Sequence, residues 1–444
     1  MNNKLELQLA RGFRDFPPEE KILRNKIITL IKDVFEIYGF SPLETPTIER
    51  LDILEAKFVA GQDSDAISEI YRFKDQGLRE LGLRYEFTFA LARFIGMNPQ
   101  LRLPFKRYQI GPVFRDGPIK SGRYREFYQC DVDIVGAKTT LADAEIIALM
   151  VNVFKKLNLE VVIEINHRKL LEDIIKSVVV VVEDITKEDY KKKQTSIIIT
   201  IDKLKKIGKE EVKLELLKKK IPEEKINKLL DILLVEGTNL EKLNKISKIV
   251  GEEKESIIEL KELFEYLKIL NINYLFLPSL ARGLGYYTGP IFEVFLKDET
   301  IMSSSIAGGG RWDKMIGNYL NKESNSFPAT GVSFGLEPIM EIIKNKEGLG
   351  SSTIAKLLII PIGKKNLKSS ILITEKIREN KIPTIIDLVG KSIGKNLEYA
   401  NKLKIPFVGF LGDNEIKENK IKIKNMITGK EELLEVSKIK DFIF

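Results

Sequence analysis

Residues 113–136, VFRDGPIKSGRYREFYQCDVDIVG, read as a strand, a short loop broken by glycine and proline, and a second strand. A connection this short joins antiparallel neighbours, so the segment commits its surroundings to an antiparallel sheet. The loop region carries Arg115, Lys120, Arg123 and Arg125. Along the second strand Gln129, Asp131 and Asp133 share one face, and Cys130, Val132 and Ile134 share the other. Carboxylates projecting from a sheet either meet water or line a polar pocket. Cations at the turn and hydrogen-bonding groups along the strand therefore mark this hairpin as the first place to look for chemistry.

The remaining chain sets the frame. Its 444 residues exceed one ordinary core and call for several domains. With 43% hydrophobic and 31% charged residues, the composition is that of a soluble globular protein. The longest apolar run is five valines within SVVVVVEDI, far short of the roughly 20 residues of a membrane span. No basic-then-apolar leader opens the chain, and the expected location is the cytoplasm, away from membranes. One cysteine, Cys130, rules out an internal disulfide and fits a reducing compartment. With one histidine, His167, beside it, a Cys/His zinc site cannot be assembled, so no zinc is expected. His167 is read as structural. Any metal must come through carboxylates or with a phosphate ligand.

Net charge is +8, and most of it sits late. Residues 354–444 hold 18 Lys and Arg against 11 Asp and Glu, whereas the preceding residues are nearly balanced at +1. Such an excess suits contact with a polyanion, although on charge alone a lysine-rich solvated surface is the more common reason for it.

Patterning divides the chain. Residues 18–38 have helical spacing after a Pro-Pro start and stop at Gly39; FSPLETPTIER then runs extended. Strand-like runs and turns alternate from EIYRFKDQ through LGLRYEFTFALARFIG to the hairpin, and within LRYEFT the residues Arg84, Glu86 and Thr88 share a face on that reading. Residues 140–157 form a helix with a threonine available as its cap. From His167 to Lys268 the texture is Lys/Glu/Leu/Ile-rich and helical, an insertion that splits the first domain. Strands return at NYLFLPSLARGLGYYTGPIFEVFL. SSSIAGGGRWDKMIG reads as a glycine turn feeding a helix, since Gly308–Gly310 lack the lysine pattern of a phosphate loop. The expected domains are 1–166 and 269–346, a first domain in two parts; 167–268, the helical insertion; and 354–444, a small α/β domain with a mainly parallel sheet.

Arg282, Tyr286 and Tyr287 in SLARGLGYYTG complete a set that complements an amino acid lying beside a nucleotide. Carboxylates suit an ammonium group, phenols and an acid suit a polar ring, and arginines suit carboxylate or phosphate. Each element alone is more often a solvated strand face.

The hairpin resembles motif 2 of class II aminoacyl-tRNA synthetases, LETPTIE their motif 1 and GVSFGLEPI their motif 3. LARGLGYYTGPIFE and GGGRWD are similar to the histidine-specific motif and following glycine-arginine turn of histidyl-tRNA synthetases, and KSIGKNLEYANKLKIPFVGFLGDNEIKENKIKIKNMITG in the tail resembles their anticodon-binding domain, expected over 354–444. The resemblance covers nearly the whole chain and implies an α+β fold: a class II antiparallel sheet flanked by helices, a helical insertion, and a C-terminal α/β anticodon-binding domain. It implies activation of L-histidine by ATP, with Mg2+, and transfer to the 3′ end of tRNA(His) by a homodimer, with Pro46 near the dimer contact. On this resemblance Arg115, Arg123, Phe127 and Arg282 serve ATP. Glu86, Thr88, Gln129, Asp133, Tyr286 and Tyr287 serve histidine, and Arg115, Arg282 and Gln129 are the catalytic candidates.

Three positions differ from the family pattern: Pro338 stands where motif 3 has arginine, Gly117 where motif 2 often has glutamate, and Trp312 where tyrosine is usual. Lys120, Arg123 and Arg311 are the candidate replacement cations. The rival readings are a non-catalytic, histidine-binding regulatory paralogue of histidine biosynthesis and another class II synthetase.

Overall fold

A computed structural model describes residues 6–55, 68–119, 123–179, 187–282, 286–320 and 327–443. Lys120, Gly122 and Gly283–Gly285 from the motifs above lie outside the described residues. The chain divides into two compact units, Met1–Arg14 with Ile27–Ile342 and Asp15–Lys26 with Ile343–Phe444.

Helix α1 (Pro18–Ile37) opens on a proline, whose missing N–H falls where no intrahelical partner exists. It closes at Gly39, with φ +75° and a Phe40 N–H bond back to the Phe35 carbonyl at 3.1 Å. Strands β1 (Ser41–Pro42), β2 (Ile48–Arg50), β3 (Arg72–Lys74) and β4 (Glu80–Leu83) follow, and β2, β4 and β3 pair as a small antiparallel sheet. Next comes α2 (Thr88–Met97), where a strand was expected. Its apolar residues Phe89, Leu91, Ala92 and Ile95 all reach a core shared with Trp312 and Met315, so tertiary burial selects the helix over local strand texture.

The hairpin is β5 (Phe105–Phe114) and β6 (Glu126–Val135), in the register Val113 opposite Phe127 and Arg107 opposite Asp133. Helix α3 (Leu141–Lys156) follows it, then β7 (Val161–His167). The expected threonine cap of α3 is not made by Thr140. Its hydroxyl donates to Glu262 at 2.6 Å, and the Leu141 N–H is accepted by the Thr139 hydroxyl instead.

Among the described residues six helices follow with no strand between them: α4 (Arg168–Val178), α5 (Lys187–Ile201), α6 (Leu204–Lys218), α7 (Glu223–Leu233), α8 (Asn239–Val250) and α9 (Glu255–Ile269). Strands β8 (Leu275–Phe276), β9 (Pro290–Leu296), β10 (Ala307–Arg311) and β11 (Ala329–Gly335) and helix α10 (Leu336–Glu347) complete this stretch of chain. The large sheet has the order β1-β5-β6-β11-β10-β9-β7-β8; it is antiparallel within and parallel only at its two outermost pairings. Under one face, Phe334 of β11 sits between Phe35 of α1 and Phe154 of α3, each ring pair 5.7 Å apart. Cys130, Val132 and Ile134 point into this core.

The glycine run is not a turn. Gly308–Gly310 lie inside β10, paired with both β9 and β11. Glycine suits this strand because other groups occupy the space where side chains would stand, as the site below makes plain.

In the second unit β12 (Leu357–Pro361), α11 (Leu367–Glu379), β13 (Thr384–Ile386), α12 (Ile393–Lys402), β14 (Phe407–Leu411), β15 (Lys420–Asn425) and β16 (Glu431–Glu435) build a five-stranded sheet, order β13-β12-β14-β15-β16. The sheet is mixed rather than mainly parallel: β13, β12 and β14 are parallel and the last two pairings antiparallel. Alternate residues of β12 enter opposite cores, Leu357 and Ile359 against Ile377 and Ile421, and Leu358 and Ile360 against Ala400 and Val408. No described helix is long and apolar enough to cross a membrane.

His167 caps α4. Its Nδ1 accepts the Lys169 N–H at 3.1 Å, and its Nε2 lies 2.7 Å from Glu259 of α9, with the ring fully buried. The imidazole thus ties the sheet to the helical region and is out of reach of the cavity described below. His167→Ala is expected to cost about 2 kcal/mol, by loss of a cap and a buried charge-assisted bond. Thermal unfolding should show that loss, and substrate KM values should stay at wild-type level.

Candidate active site

On the sheet face opposite the phenylalanine core lies a cavity of ≈ 310 Å³. Three strands supply its floor: β6 with Gln129, Asp131 and Asp133, β10 with Gly308 and Gly309, and β11 with Gly331 and Ser333. The period of two that turns Val132 downward turns these groups up. Glu86 and Thr88 enter from the loop after β4 and the first residue of α2, and Thr88 hydrogen-bonds the Glu86 carboxyl. They share the cavity without being alternate residues of one strand. Arg84, expected on the same face, is absent from it: its Nε donates to the Pro112 carbonyl at 2.7 Å and its Nη1 to the Thr45 carbonyl at 2.9 Å. Arg115, Arg123, Arg282, Tyr286 and Tyr287 also line the cavity.

Phe127 stands in an adjoining cavity of ≈ 260 Å³, with Glu69, Gly117, Tyr124 and Pro338. Arg115, Arg123 and Gly335 belong to both spaces. From Phe127 to Asp133 the strand advances six residues, about 20 Å, so the two cavities follow one line along β6.

The acid end is heavily desolvated. Burial raises the Glu86 carboxyl, opposed chiefly by Arg115, and raises Asp131 to about 7, opposed by Arg107. Burial likewise pushes Asp133 up, while Arg107 at 2.6 Å and a bond from Trp312 pull it back. Glu86 Oε1, Gln129 Oε1 and Asp131 Oδ1 are buried without a hydrogen-bond partner among the described residues. Three unpaired acceptors on residues lining one cavity are costly unless a donor comes to them, and an ammonium group carries three.

The cationic groups are held in place by rings and one acid. The Arg115 guanidinium lies 4.1 Å from the Tyr85 ring and 5.1 Å from the Phe127 ring, with its Nε 3.4 Å from the Tyr85 carbonyl. Arg282 pairs with Glu293 at 2.6 Å and stands 5.5 Å from the Tyr287 ring. Burial works against its charge, but the Glu293 carboxylate beside it keeps the guanidinium ionised. Burial also lifts the Tyr286 and Tyr287 phenols, which therefore remain neutral donors.

The glycine floor makes room for these groups. A Cβ on Gly308 would lie 2.0 Å from Nη1 of Arg282, and one on Gly331 2.1 Å from Oδ1 of Asp133.

A model of the histidyl-tRNA synthetase family matches residues 12–339, and a model of the anticodon-binding domain matches residues 356–443. The chain belongs to the histidyl-tRNA synthetase family. A histidine–tRNA ligase of Bacillus cereus is 39% identical over 451 aligned residues, covering 99% of this chain and 100% of its own. One from Shouchella clausii is 36% identical, covering 97% and 98%. The crystal structure of a histidyl-tRNA synthetase from Nostoc superposes with a TM-score of 0.85 at 29% identity, over 99% of both chains. A Bacillus halodurans structure titled as an ATP phosphoribosyltransferase regulatory subunit/histidyl-tRNA synthetase, 19% identical with a TM-score of 0.72 over 89% of this chain and 97% of its own, shares the fold.

Against that synthetase pattern, the three unusual positions find their surroundings. Pro338 lies in the Phe127 cavity, and Trp312 is buried with its ring nitrogen on Asp133. Gly117 leaves space that the Glu69 carboxylate fills. Of the candidate replacement cations, Arg311 is excluded: it is buried on Asp143 at 2.5 Å and on the carbonyls of Ala137 and Thr139. Arg123 lines both cavities, and Lys120 is outside the described residues. Arg107 and Glu293 escaped the reading of single motifs. A signal for Arg107 existed, since hairpin register sets it directly opposite Asp133; Glu293 of β9 meets Arg282, from the loop before that strand, as an ion pair that no spacing marks.

Gly308→Ala should displace Arg282 and cut adenylate formation at least ten-fold, read by pyrophosphate exchange, with little change in far-UV circular dichroism. A second expectation concerns pH. Asp131 has a folded pKa near 7 against an ordinary value of 3.8. The native state therefore binds more protons than the unfolded chain between those values, and stability falls as pH rises through the window. Asp131→Asn should flatten that fall, seen as a smaller drop in Tm between pH 5 and pH 8 than in the wild type.

Proposed function

We propose that this chain is an ATP-dependent histidine–tRNA ligase: it joins L-histidine to ATP as histidyl-adenylate, releasing pyrophosphate, and transfers histidine to the 3′ end of tRNA(His). The observation that carries the reading is the single line of site groups along β6, with unpaired acceptors at one end and held guanidinium groups and an aromatic face at the other. Glu86, Thr88 and Gln129 take the histidine α-amino group, Asp133 and Tyr287 the two imidazole nitrogens, and Tyr286 packs beside them. The adenine ring lies against Phe127. Arg115 and Arg123 meet the phosphates, and Arg282 meets the reacting centre.

In the first step a histidine carboxylate oxygen attacks the α-phosphorus in line, and the bond to the bridging oxygen breaks as pyrophosphate leaves. Negative charge gathers about one phosphorus. Arg115, wedged between two rings, and Arg282, fixed by Glu293, meet it with almost no reorganisation. Magnesium enters with the nucleotide as part of the substrate; among the described residues no group of three or more His, Cys, Asp or Glu side chains is placed to hold a metal ion. In the second step the terminal ribose hydroxyl attacks the acyl carbon and AMP departs. A phosphate oxygen of the adenylate accepts the hydroxyl proton, with Gln129, anchored through Nε2 to Ser333 at 3.0 Å, beside it.

Selectivity has a physical basis in the same groups. A side chain lacking two ring nitrogens would forfeit the bonds that Asp133 and Tyr287 offer, each worth about 1–3 kcal/mol at a buried site. The basic C-terminal unit, matched by the anticodon-binding model, supports tRNA as partner and favours the ligase over a regulatory paralogue without that domain. A homodimer with the LETPTIE segment at its contact and a cytoplasmic location complete the proposal, as does the division of labour among residues 1–166 and 269–346, 167–268 and 354–444.

Histidine-dependent exchange of pyrophosphate into ATP, followed by charging of tRNA(His), tests the reading; a protein that binds histidine yet supports no exchange would overturn it. Arg282→Ala should lower kcat by about 10²-fold or more while changing histidine Kd by less than five-fold. Equal losses in both would remove Arg282 from the transition state.

A further inference from the structure

The Phe127 cavity contains a carboxylate that the motifs do not provide. Glu69 lies outside the hairpin, just before β3, and its side chain reaches the cavity wall beside Arg115, Gly117 and Phe127. Three contacts locate it. Its backbone carbonyl accepts the Asp116 N–H at 2.8 Å, which couples the segment to the loop after β5. Its Oε2 accepts the Tyr85 hydroxyl at 3.3 Å. Its Oε1 occupies the place a side chain at position 117 would take, 2.5 Å from a Cβ built on Gly117. Among the described residues no cation pairs with this carboxylate, and no donor reaches Oε1. The bond from Tyr85 holds the carboxylate while leaving that oxygen toward the cavity.

We infer that Glu69 is the specificity residue for the nucleobase, its Oε1 accepting a hydrogen bond from the exocyclic amine of the ring that lies on Phe127. The inference rests on the proposed reading of the second cavity as the adenine site. Its chemistry selects the ligand: an aromatic face takes any flat ring, guanidinium groups take phosphate, and neither distinguishes one purine from another. A fixed carboxylate does. It accepts from an amino group, gains nothing from a bare C–H, and repels the carbonyl oxygen that guanine has at the same ring position. Gly117 is the complementary half of the device, because any larger residue would push the carboxylate out of place.

The test is histidine-dependent pyrophosphate exchange with ATP, with purine riboside triphosphate, which lacks the 6-amino group, and with GTP. For the wild type kcat/KM should favour ATP over purine riboside triphosphate by about ten-fold or more, the scale of a hydrogen bond to a charged acceptor. Glu69→Leu should bring that preference within about three-fold, chiefly through KM for ATP, and Glu69→Gln, which keeps a neutral acceptor, should fall between. Gly117→Ala, which leaves Glu69 in the sequence but displaces its carboxylate, should reproduce the loss. An equal decline with both nucleotides in Glu69→Leu, or a wild type indifferent to the 6-amino group, would overturn the inference and leave the synthetase reading intact. Absence of any histidine-dependent exchange in the wild type would instead defeat the reading on which it rests.

Discussion

The site depends on the register between β5, β6 and β11. With a side-chain period of two, one register sends Cys130, Val132 and Ile134 into the phenylalanine core and Gln129, Asp131 and Asp133 into the cavity. A slip of one residue would bury three polar groups against Phe334 and expose three apolar ones to the ligands. Core packing thereby enforces the chemistry: α1 and α3 press on one face, and the other face has no freedom to present anything else. The Arg107–Asp133 pair, two residues directly opposite in the hairpin, adds an electrostatic penalty to any other alignment.

Charge is separated along the same strand. Carboxylates gather where the strand runs under the sheet, guanidinium groups where it emerges at the turn. The carboxylates are shielded from water, so each interaction there is stronger than on a surface and each unpaired atom is more expensive, whereas Arg115 is half-buried and Arg123 exposed. The orphan acceptors on Glu86, Gln129 and Asp131 are a standing cost that any incoming hydrogen-bond donor would reduce. This is a fold storing destabilisation at its site, and the large apolar cores on both sides of the cavity offset it.

Residues that differ from the family pattern show how substitution works through space rather than along the chain. Arg311, a cation beside the glycine run, is spent on Asp143 and two carbonyls, where it joins β10 to α3 and gives nothing to the nucleotide. Glu69 comes from a segment almost fifty residues before Gly117 in sequence and meets it in the fold. Trp312, where the family usually has tyrosine, donates its indole N–H to Asp133.

The sequence by itself determined the hairpin, the alternation of its second strand, the structural part played by His167, and the family, because each is written in spacing or short motifs that survive without long-range contacts. It misdirected where local pattern and burial conflict. Thr88–Met97 has strand-like residues but becomes a helix to fill a core with Trp312, and Gly308–Gly310 look like a turn but form a central strand. Only the tertiary structure decided which cations are available, which acids are paired, and that Glu69 stands beside Gly117. Such facts depend on distances between segments far apart in the chain, and a linear pattern carries no distance.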